Sequence, residues 1–578
     1  MKKYILTGII LFMATCLCGQ MVDTARFRLQ YTPTLKPTQK INQHPSLKDS
    51  IDDKVNFNYY IVPQRYDVTF QPSPISYNKV GPEGAKMMYR NYLKVGFGYP
   101  VTPLLDFSFH NLQNPKNAFG ANVHHFSSWA KPIGKTMKQY PYHPTSDTRV
   151  HLNYKHFFKH QTLYSAINYN HEAARLYGFK ITPETVIEKD SLKNNFHHLN
   201  AMVGLASNYV LEEKKVKQDV RLDYDFLRTN WKDMQHHLGL TSFVAYDARW
   251  SKISGSQLYR LNLNFDYFND QWAESAFTTH AFLFNPEVYA HFTIKEYHIL
   301  LGVGGIVNTY RGKTGGTAYP IAEIQLGLIP NILNIYAGVN GDCHYNSYKD
   351  MLYENPFVKP GLDTACFTTN FINIYGGVRG NLVKKLNYNI GARYSYSKNL
   401  AFYMLDTTST YKNQYDVYYQ NGNTLNVCLN LDYEIIKNLH INFDANYWLY
   451  ILKKDTLDDV RSTPLHKPWL TVAFNGRYIL KEKFIFSLNF DLEFGSKALG
   501  YDEDLKHYTI QTMKPILDFG IGFEYLINNH FSAFASINNI ACQHYARYYD
   551  FKCFGINGLV GIKYAFGNES IRKPKGKK

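Results

Sequence analysis

The stretch from Asn557 to Phe566 (NGLVGIKYAF) constrains the fold more than any other part of the chain. Val560, Ile562, Tyr564 and Phe566 recur at every second residue, with Gly561, Lys563 and Ala565 between them. Side chains alternate across a strand, so this segment carries one continuous apolar face that ends on aromatic rings. A transmembrane β-barrel needs such a strand, because its outer face meets lipid and its aromatics sit at the headgroup level.

The same alternation recurs upstream. Leu439, Ile441, Phe443, Ala445, Tyr447 and Leu449 oppose His440, Asn442, Asp444 and Asn446. Phe484 to Phe494, Leu425 to Tyr433 and Val220 to Phe226 repeat the pattern, again with carboxylates or amides on the second face. One apolar and one charged face per strand fits lipid outside and water inside; a soluble sandwich rarely puts so many carboxylates on one side. Aromatic residues make up 16% of the chain, with 48 Tyr and 38 Phe, which suits two interfacial girdles. The negative mean hydropathy does not contradict this, since half of each barrel strand is polar. No run reaches 18 uninterrupted apolar residues, so membrane helices are not expected.

Connections alternate in length. Short polar turns fall at Lys159 and His160, Glu212 to Lys214, Ile294 to Glu296, Pro330 and Asn331, Lys384 and Lys385, Lys437 and Asn438, Lys481 and Glu482, and Asn528 and Asn529. Longer loops fall at 128–146, 177–193, 310–318, 346–369, 399–420, 453–466, 497–511 and 544–554. Short periplasmic turns alternating with longer outside loops are a barrel rule. Carried through residues 89–566, the count gives about 22 strands within bounds of 16 to 22, and an even total places Phe566 on the periplasmic side.

Lys2 and Lys3 precede an apolar run from Ile5 to Leu17, which reads as a signal peptide over residues 1–19. Cys16 and Cys18 fit a lipidation box poorly. Residues 20–88 form an N-terminal periplasmic or lumenal segment: Met21 to Asp53 is polar and proline-bearing, and Asn56 to Tyr77 suits two short strands or an extended lumenal stretch. Residues 567–578 make a basic periplasmic tail, with Arg572, Lys573, Lys575, Lys577 and Lys578 contributing to the net charge of +16. A chain that carries a signal peptide and no recognition motif is not a nucleic-acid binder.

Several segments together resemble the TonB-dependent-receptor-like β-barrel proteins of Gram-negative outer membranes, in particular a plugless group of unassigned role. These are Tyr89 to Thr102 (YRNYLKVGFGYPVT), His125 to Ser128, Asn346 to Pro360 (NSYKDMLYENPFVKP), Asn373 to Gly380 and the closing strand, with the likeness running from about residue 60 to 566. The closing strand is also similar to the signal read by barrel assembly machinery, although Phe566 is not the chain end. The resemblance implies a 22-stranded wall in the outer membrane, in contact with its lipid and assembled by that machinery, and acting in solute transport. Residues 20–88 are short for a plug domain and carry no segment like a coupling box. A non-transporting scaffold or accessory subunit, bound to other outer-membrane or periplasmic proteins, is therefore the alternative.

Few residues invite a chemical role. Cys343 with Cys366, and Cys542 with Cys553, flank two outside loops and are candidates for loop-base disulfides, leaving Cys428 on the lumen side. The pairs His124 and His125, His197 and His198, and His236 and His237 can each send one ring into the lumen, where three together could bind a metal or haem. As ordinary interfacial residues they imply none, and no metal or cofactor is assigned. Neither a nucleophile elbow nor a zincin helix occurs, so the chain does not read as an enzyme. Gly302, Gly304 and Gly305 read as strand bends. In the loop Asn346 to Pro360, Tyr348, Tyr353 and Phe357 supply rigid apolar surface for a lid or for a ligand or partner contact.

Overall fold

The structure is a computed structural model that describes residues 88–569, apart from 112–113, 115, 130–136, 184, 189, 209–215, 249–255, 274–277, 362–364, 384, 455–459 and 503–505. The signal peptide, the segment 20–87, the turn Glu212 to Lys214 and the tail 570–578 lie outside the described residues.

The described residues form 24 strands, most of them wall. In chain order they are β1 (Met88–Tyr99), β2 (Thr102–His110), β3 (Asn117–Ser128), β4 (Thr145–Phe157), β5 (Gln161–Arg175), β6 (Lys193–Ser207), β7 (Val216–Thr229) and β8 (Met234–Ala248). There follow β9 (Ser256–Gln271), β10 (Thr278–Ile294), β11 (Tyr297–Tyr310), β12 (Lys313–Ile329), β13 (Leu333–Tyr345), β14 (Phe367–Val383), β15 (Leu386–Leu405) and β16 (Tyr415–Ile436). The chain closes through β17 (Leu439–Leu452), β18 (Leu470–Leu480), β19 (Phe484–Phe494), β20 (Lys497–Asp502), β21 (His507–Thr512), β22 (Ile516–Leu526), β23 (Phe531–Asn538) and β24 (Asn557–Glu569). Twenty-two of them form one antiparallel sheet, each paired with its chain neighbour, and β1 also pairs with β24. Closure satisfies every strand edge, which a bilayer would otherwise leave without hydrogen-bond partners.

The seam is held in register from Met88 opposite Glu569 to Tyr99 opposite Gly558. Its outer face carries Val560 and Ile562, both more than half exposed, and ends in Tyr564 and Phe566, whose rings stack at 4.9 Å with Phe531 against Tyr564 at 4.3 Å. On the lumen face, Phe534 lies over the glycines of both seam strands: a Cβ on Gly561 would stand 2.1 Å from the Val95 carbonyl oxygen, 2.7 Å from Gly96 Cα and 2.7 Å from the Phe534 ring. Lys94 and Lys563 cap that ring at 5.0 and 5.5 Å, and Lys563 is also paired to Glu524 at 2.6 Å.

Among the described residues the longest loops, such as 346–366 and 539–556, share one end of the barrel with a few tight turns, and the other end carries short turns such as 295–296, 437–438 and 481–483. The turns use residues that tolerate positive φ at small cost, such as Asn331 and Asn438, or charged residues held there by the hairpin, such as Lys295, Lys481 and Glu482. Two expected loops are mostly strand. Residues 310–318 narrow to a turn at Arg311 and Gly312, and 399–420 to residues 406–414, because the ladders continue past the apolar band with polar side chains. Residues 497–511 hold the hairpin β20–β21, which stands apart from the main sheet. Gly304 leaves room for the Tyr319 ring, whose Cζ a Cβ would approach to 2.2 Å.

Candidate functional site

The core of this barrel is a plug of side chains at the long-loop end, organised by the loop between β13 and β14. That loop opens with a two-turn helix, α1 (Tyr348–Glu354). Ser347 caps it, accepting from the Asp350 amide at 3.1 Å and donating its hydroxyl to the Asp350 carboxylate at 2.6 Å. Tyr348, Met351 and Leu352 share one face at the spacing i, i+3, i+4, and all three are buried. A helix of 7 residues does not persist alone in water, so burial of that face is what keeps it.

The loop crosses the mouth and is fastened on both sides. On the side of β5 to β8, the Tyr353 hydroxyl accepts from Asn170 Nδ2 at 3.0 Å and meets His198 Nδ1 at 2.9 Å. His198 Nε2 in turn meets Asp225 Oδ1 at 2.8 Å. A carboxylate only accepts, so Nε2 carries the ring proton and Nδ1 accepts from Tyr353. Burial pushes the Tyr353 phenol up to about 12, which keeps its proton available for that bond. Lys349 Nζ lies 3.3 Å from Asp225 Oδ1, and its amide donates to Gln235 Oε1 at 3.1 Å. Gln235 then reaches Asp270 at 2.5 Å, which also accepts from Tyr345 at 2.6 Å.

On the other side, Glu354 accepts from the Tyr403 hydroxyl at 3.1 Å and pairs with Lys467, while its carbonyl accepts from Tyr548 at 2.9 Å. Phe357 stacks on Phe551 at 3.6 Å, and the chain at Val358 bridges to Tyr415 of β16. Lys359 Nζ ends 2.5 Å from Asp416. The three aromatic residues singled out in this loop thus differ in place. Tyr348 is buried edge-on against Trp272 at 5.1 Å, Tyr353 is the more exposed fastening to the wall, and Phe357 joins the ring cluster under the 539–556 loop. Sequence reading missed Asp225, Lys349 and Glu354; the Ser347-x-x-Asp350 cap before a 3–4 spaced apolar face was the available signal for the helix that presents the last two.

The histidine pairs separate as strand geometry demands. His198 and His237 face the lumen and share Asp225, with His237 Nδ1 at 2.9 Å from it and His237 Nε2 at 2.9 Å from Asp266. With a carboxylate on each nitrogen, His237 is an imidazolium clamp that aligns Asp225. His124 stands apart, on Asp106 beside Lys94. Their partners His125, His197 and His236 point the other way, to Thr148, Tyr169 and Tyr224. The three lumenal rings therefore do not converge, and among the described residues no group of three His, Cys, Asp or Glu is placed to hold a metal.

The expected disulfides are not formed: all five of Cys343, Cys366, Cys428, Cys542 and Cys553 are free. Register is the reason at the first loop, since Cys343 stands opposite Thr369 and contacts its hydroxyl at 3.4 Å, three residues beyond Cys366. At the second, Cys553 donates to the Gln543 carbonyl at 3.6 Å while Cys542 is exposed.

No family model matches the chain, and no curated protein matches it in sequence. Solved structures match the fold. The siderophore receptor PirA from Acinetobacter baumannii has a TM-score of 0.62 at 10% identity, covering 82% of this chain and 80% of that one. The FrpB iron transporter from Neisseria meningitidis gives 0.62 at 11%, with 84% and 82% covered. The pyoverdine outer membrane receptor FpvA from Pseudomonas aeruginosa gives 0.61 at 10%, with 83% and 79% covered. At such identity the likeness is one of fold: a closed, 22-stranded antiparallel barrel.

Proposed function

We propose that this protein is an outer-membrane barrel for solute passage whose long-loop end faces outside and whose mouth is closed by the loop Asn346 to Pro360. The observation that carries this reading is the fastening of that loop. It is tied to the wall by hydrogen bonds and ion pairs at Tyr353, Lys349 and Glu354, contacts that can be exchanged for contacts to a solute. The solved structures alike in fold are named as receptors and a transporter, two of them for siderophores or pyoverdine, which supports transport rather than catalysis. In this orientation the short turns are periplasmic, and Val560, Ile562, Tyr564 and Phe566 form the strand read during barrel assembly. The basic tail then lies in the periplasm, free to touch other envelope proteins.

Planar-bilayer conductance of the full-length protein tests the reading. Deleting residues 349–358 should raise single-channel conductance several-fold, and removing residues 20–80 should show what the N-terminal segment adds. A barrel that stays equally tight after both deletions would favour the scaffold reading, in which stable co-purifying envelope proteins are the functional partners.

A further inference from the structure

Away from the mouth, the outward face of the wall carries a recess. A groove of about 590 Å³ crosses β17, β18, β19, β22 and β23 near the short-turn end, and its lining is almost wholly apolar. Cross-strand register explains it. Gly476 stands between Ile441 and Leu488 in one row of outward side chains, and Ala535 stands beside Phe523 in the row nearer the turns. Two small residues among large ones leave a dent. A Cβ on Gly476 would meet nothing nearer than the Phe474 ring at 3.6 Å, so the space above it is open. Phe523 is itself exposed, so the groove is accessible from the lipid side.

An aromatic belt and then a cluster of charge lie beyond the groove. Phe484 faces Tyr525 across the ladder with the rings 5.1 Å apart, one step nearer the turns than Phe486 and Phe523. Rings at that level mark the headgroup boundary. Past them three turns stand side by side: the Ile479 amide donates to the Asn438 carbonyl at 2.9 Å, and the Leu526 amide to the Lys483 carbonyl at 2.8 Å. These turns present Lys437, Lys481 and Lys483, all exposed and none in an ion pair among the described residues. Glu482 is the one carboxylate among them, so positive charge is in excess. Lys385 of the neighbouring turn is by contrast paired to Glu434 at 2.8 Å. Tyr478 and Phe486 lie three residues from Lys481 and Lys483, roughly 10 Å along a strand, a gap that a lysine stem spans in large part.

We propose that this groove holds one acyl chain of an anionic phospholipid of the periplasmic leaflet, whose phosphate is met by Lys437, Lys481 and Lys483. The recess gives that chain closer contact than a flat stretch of wall gives its neighbours. The unpaired ammonium groups at the boundary favour a headgroup that brings no amine of its own. The proposal rests on the passage reading only for its orientation, with these short turns at the periplasmic face.

The test is native mass spectrometry of the full-length protein, released from detergent micelles that contain equal amounts of dioleoyl phosphatidylglycerol and dioleoyl phosphatidylethanolamine, which differ in headgroup alone. One phosphatidylglycerol per chain should be retained, roughly fivefold or more over phosphatidylethanolamine. The triple variant Lys437→Gln, Lys481→Gln, Lys483→Gln should abolish that preference. Gly476→Leu, which fills the recess, should cut retention of both lipids several-fold, with barrel folding of each variant checked by heat-modifiable gel mobility. Equal retention of the two lipids, or a preference unaltered in the triple variant, would overturn the proposal and leave an ordinary lipid-facing wall. A dimer that Gly476→Leu dissolves would overturn it too, and assign the groove to a second copy of the chain. Neither measurement depends on conductance after loop deletion, so the two readings fail separately.

Discussion

Lys349 and Asp225 meet across the barrel mouth, the ammonium of the loop 3.3 Å from a wall carboxylate that already holds two histidines. Asp225 is only 10% exposed and Lys349 20%, so the pair is shielded from most screening. Lys349→Met keeps the stem and removes the charge. Asp225 stays paired with His237, so the expected loss is that of one charge-assisted bond, about 1.5–3 kcal/mol in the closed state. Hydrogen exchange of residues 347–361 should quicken roughly tenfold or more, with the wall strands unaltered; equal protection would show that the pair does not hold the loop.

Acid should loosen the same end. Burial pushes His466 down to about 4 from an ordinary value near 6.5, with its Nδ1 3.1 Å from the Arg547 carbonyl. A released His466 therefore takes up a proton between pH 6.5 and 4 that the packed one refuses. The packed loops keep their full stability above pH 6.5 and lose up to roughly 3 kcal/mol as pH falls to 4. His143, lowered for the same reason, adds to the effect in the same direction. Near-ultraviolet dichroism of the tyrosine cluster should fade over that window in the wild type and fade less in His466→Gln.

At the seam, a side chain on Gly561 has nowhere to go. Gly561→Val would push β1 from β24 and displace Phe534, costing about 1–3 kcal/mol from overpacking alone and more where ladder bonds break. The folded band on a heat-modifiability gel should shrink. Phe534→Leu, which relieves the crowding, should restore part of it in the double variant.

The thiols should differ in reactivity. Burial pushes Cys366 up to about 12 and Cys553 up to about 11, whereas Cys542 is exposed. Alkylation proceeds through the thiolate, so native protein at pH 7.5 should be labelled first at Cys542. Mass spectrometry without reductant should count five labels after unfolding; two fewer or four fewer would mean that bridges form in the cell.

Much of the wall was legible because its rule is local. Leu439 to Leu449 and Phe484 to Phe494 announce their faces within a dozen residues, and the turns at Asn331 and Asn438 announce themselves by residue type. Loop limits at 310–318 and 399–420 were less legible, since beyond the apolar band a strand needs no lipid-facing residues and resembles a loop. The cysteine pairing was not legible, because flanking a loop does not fix register: β13 and β14 set by their own ladder that Cys343 stands opposite Thr369.

By itself the sequence determined the period and the outward faces, which each strand carries alone, and the even parity, which the alternation of short and long connections carries. Only the tertiary structure decided which lumenal residues meet. Tyr353 finds His198 from 155 positions away and Asn170 from 183, because closure curves β5 to β8 under a loop that starts at β13. The closing strand from Asn557 to Phe566 shows both sides of this division: its alternation named the fold, while the barrel's closure chose β1 as its partner and set Gly561 beneath Phe534.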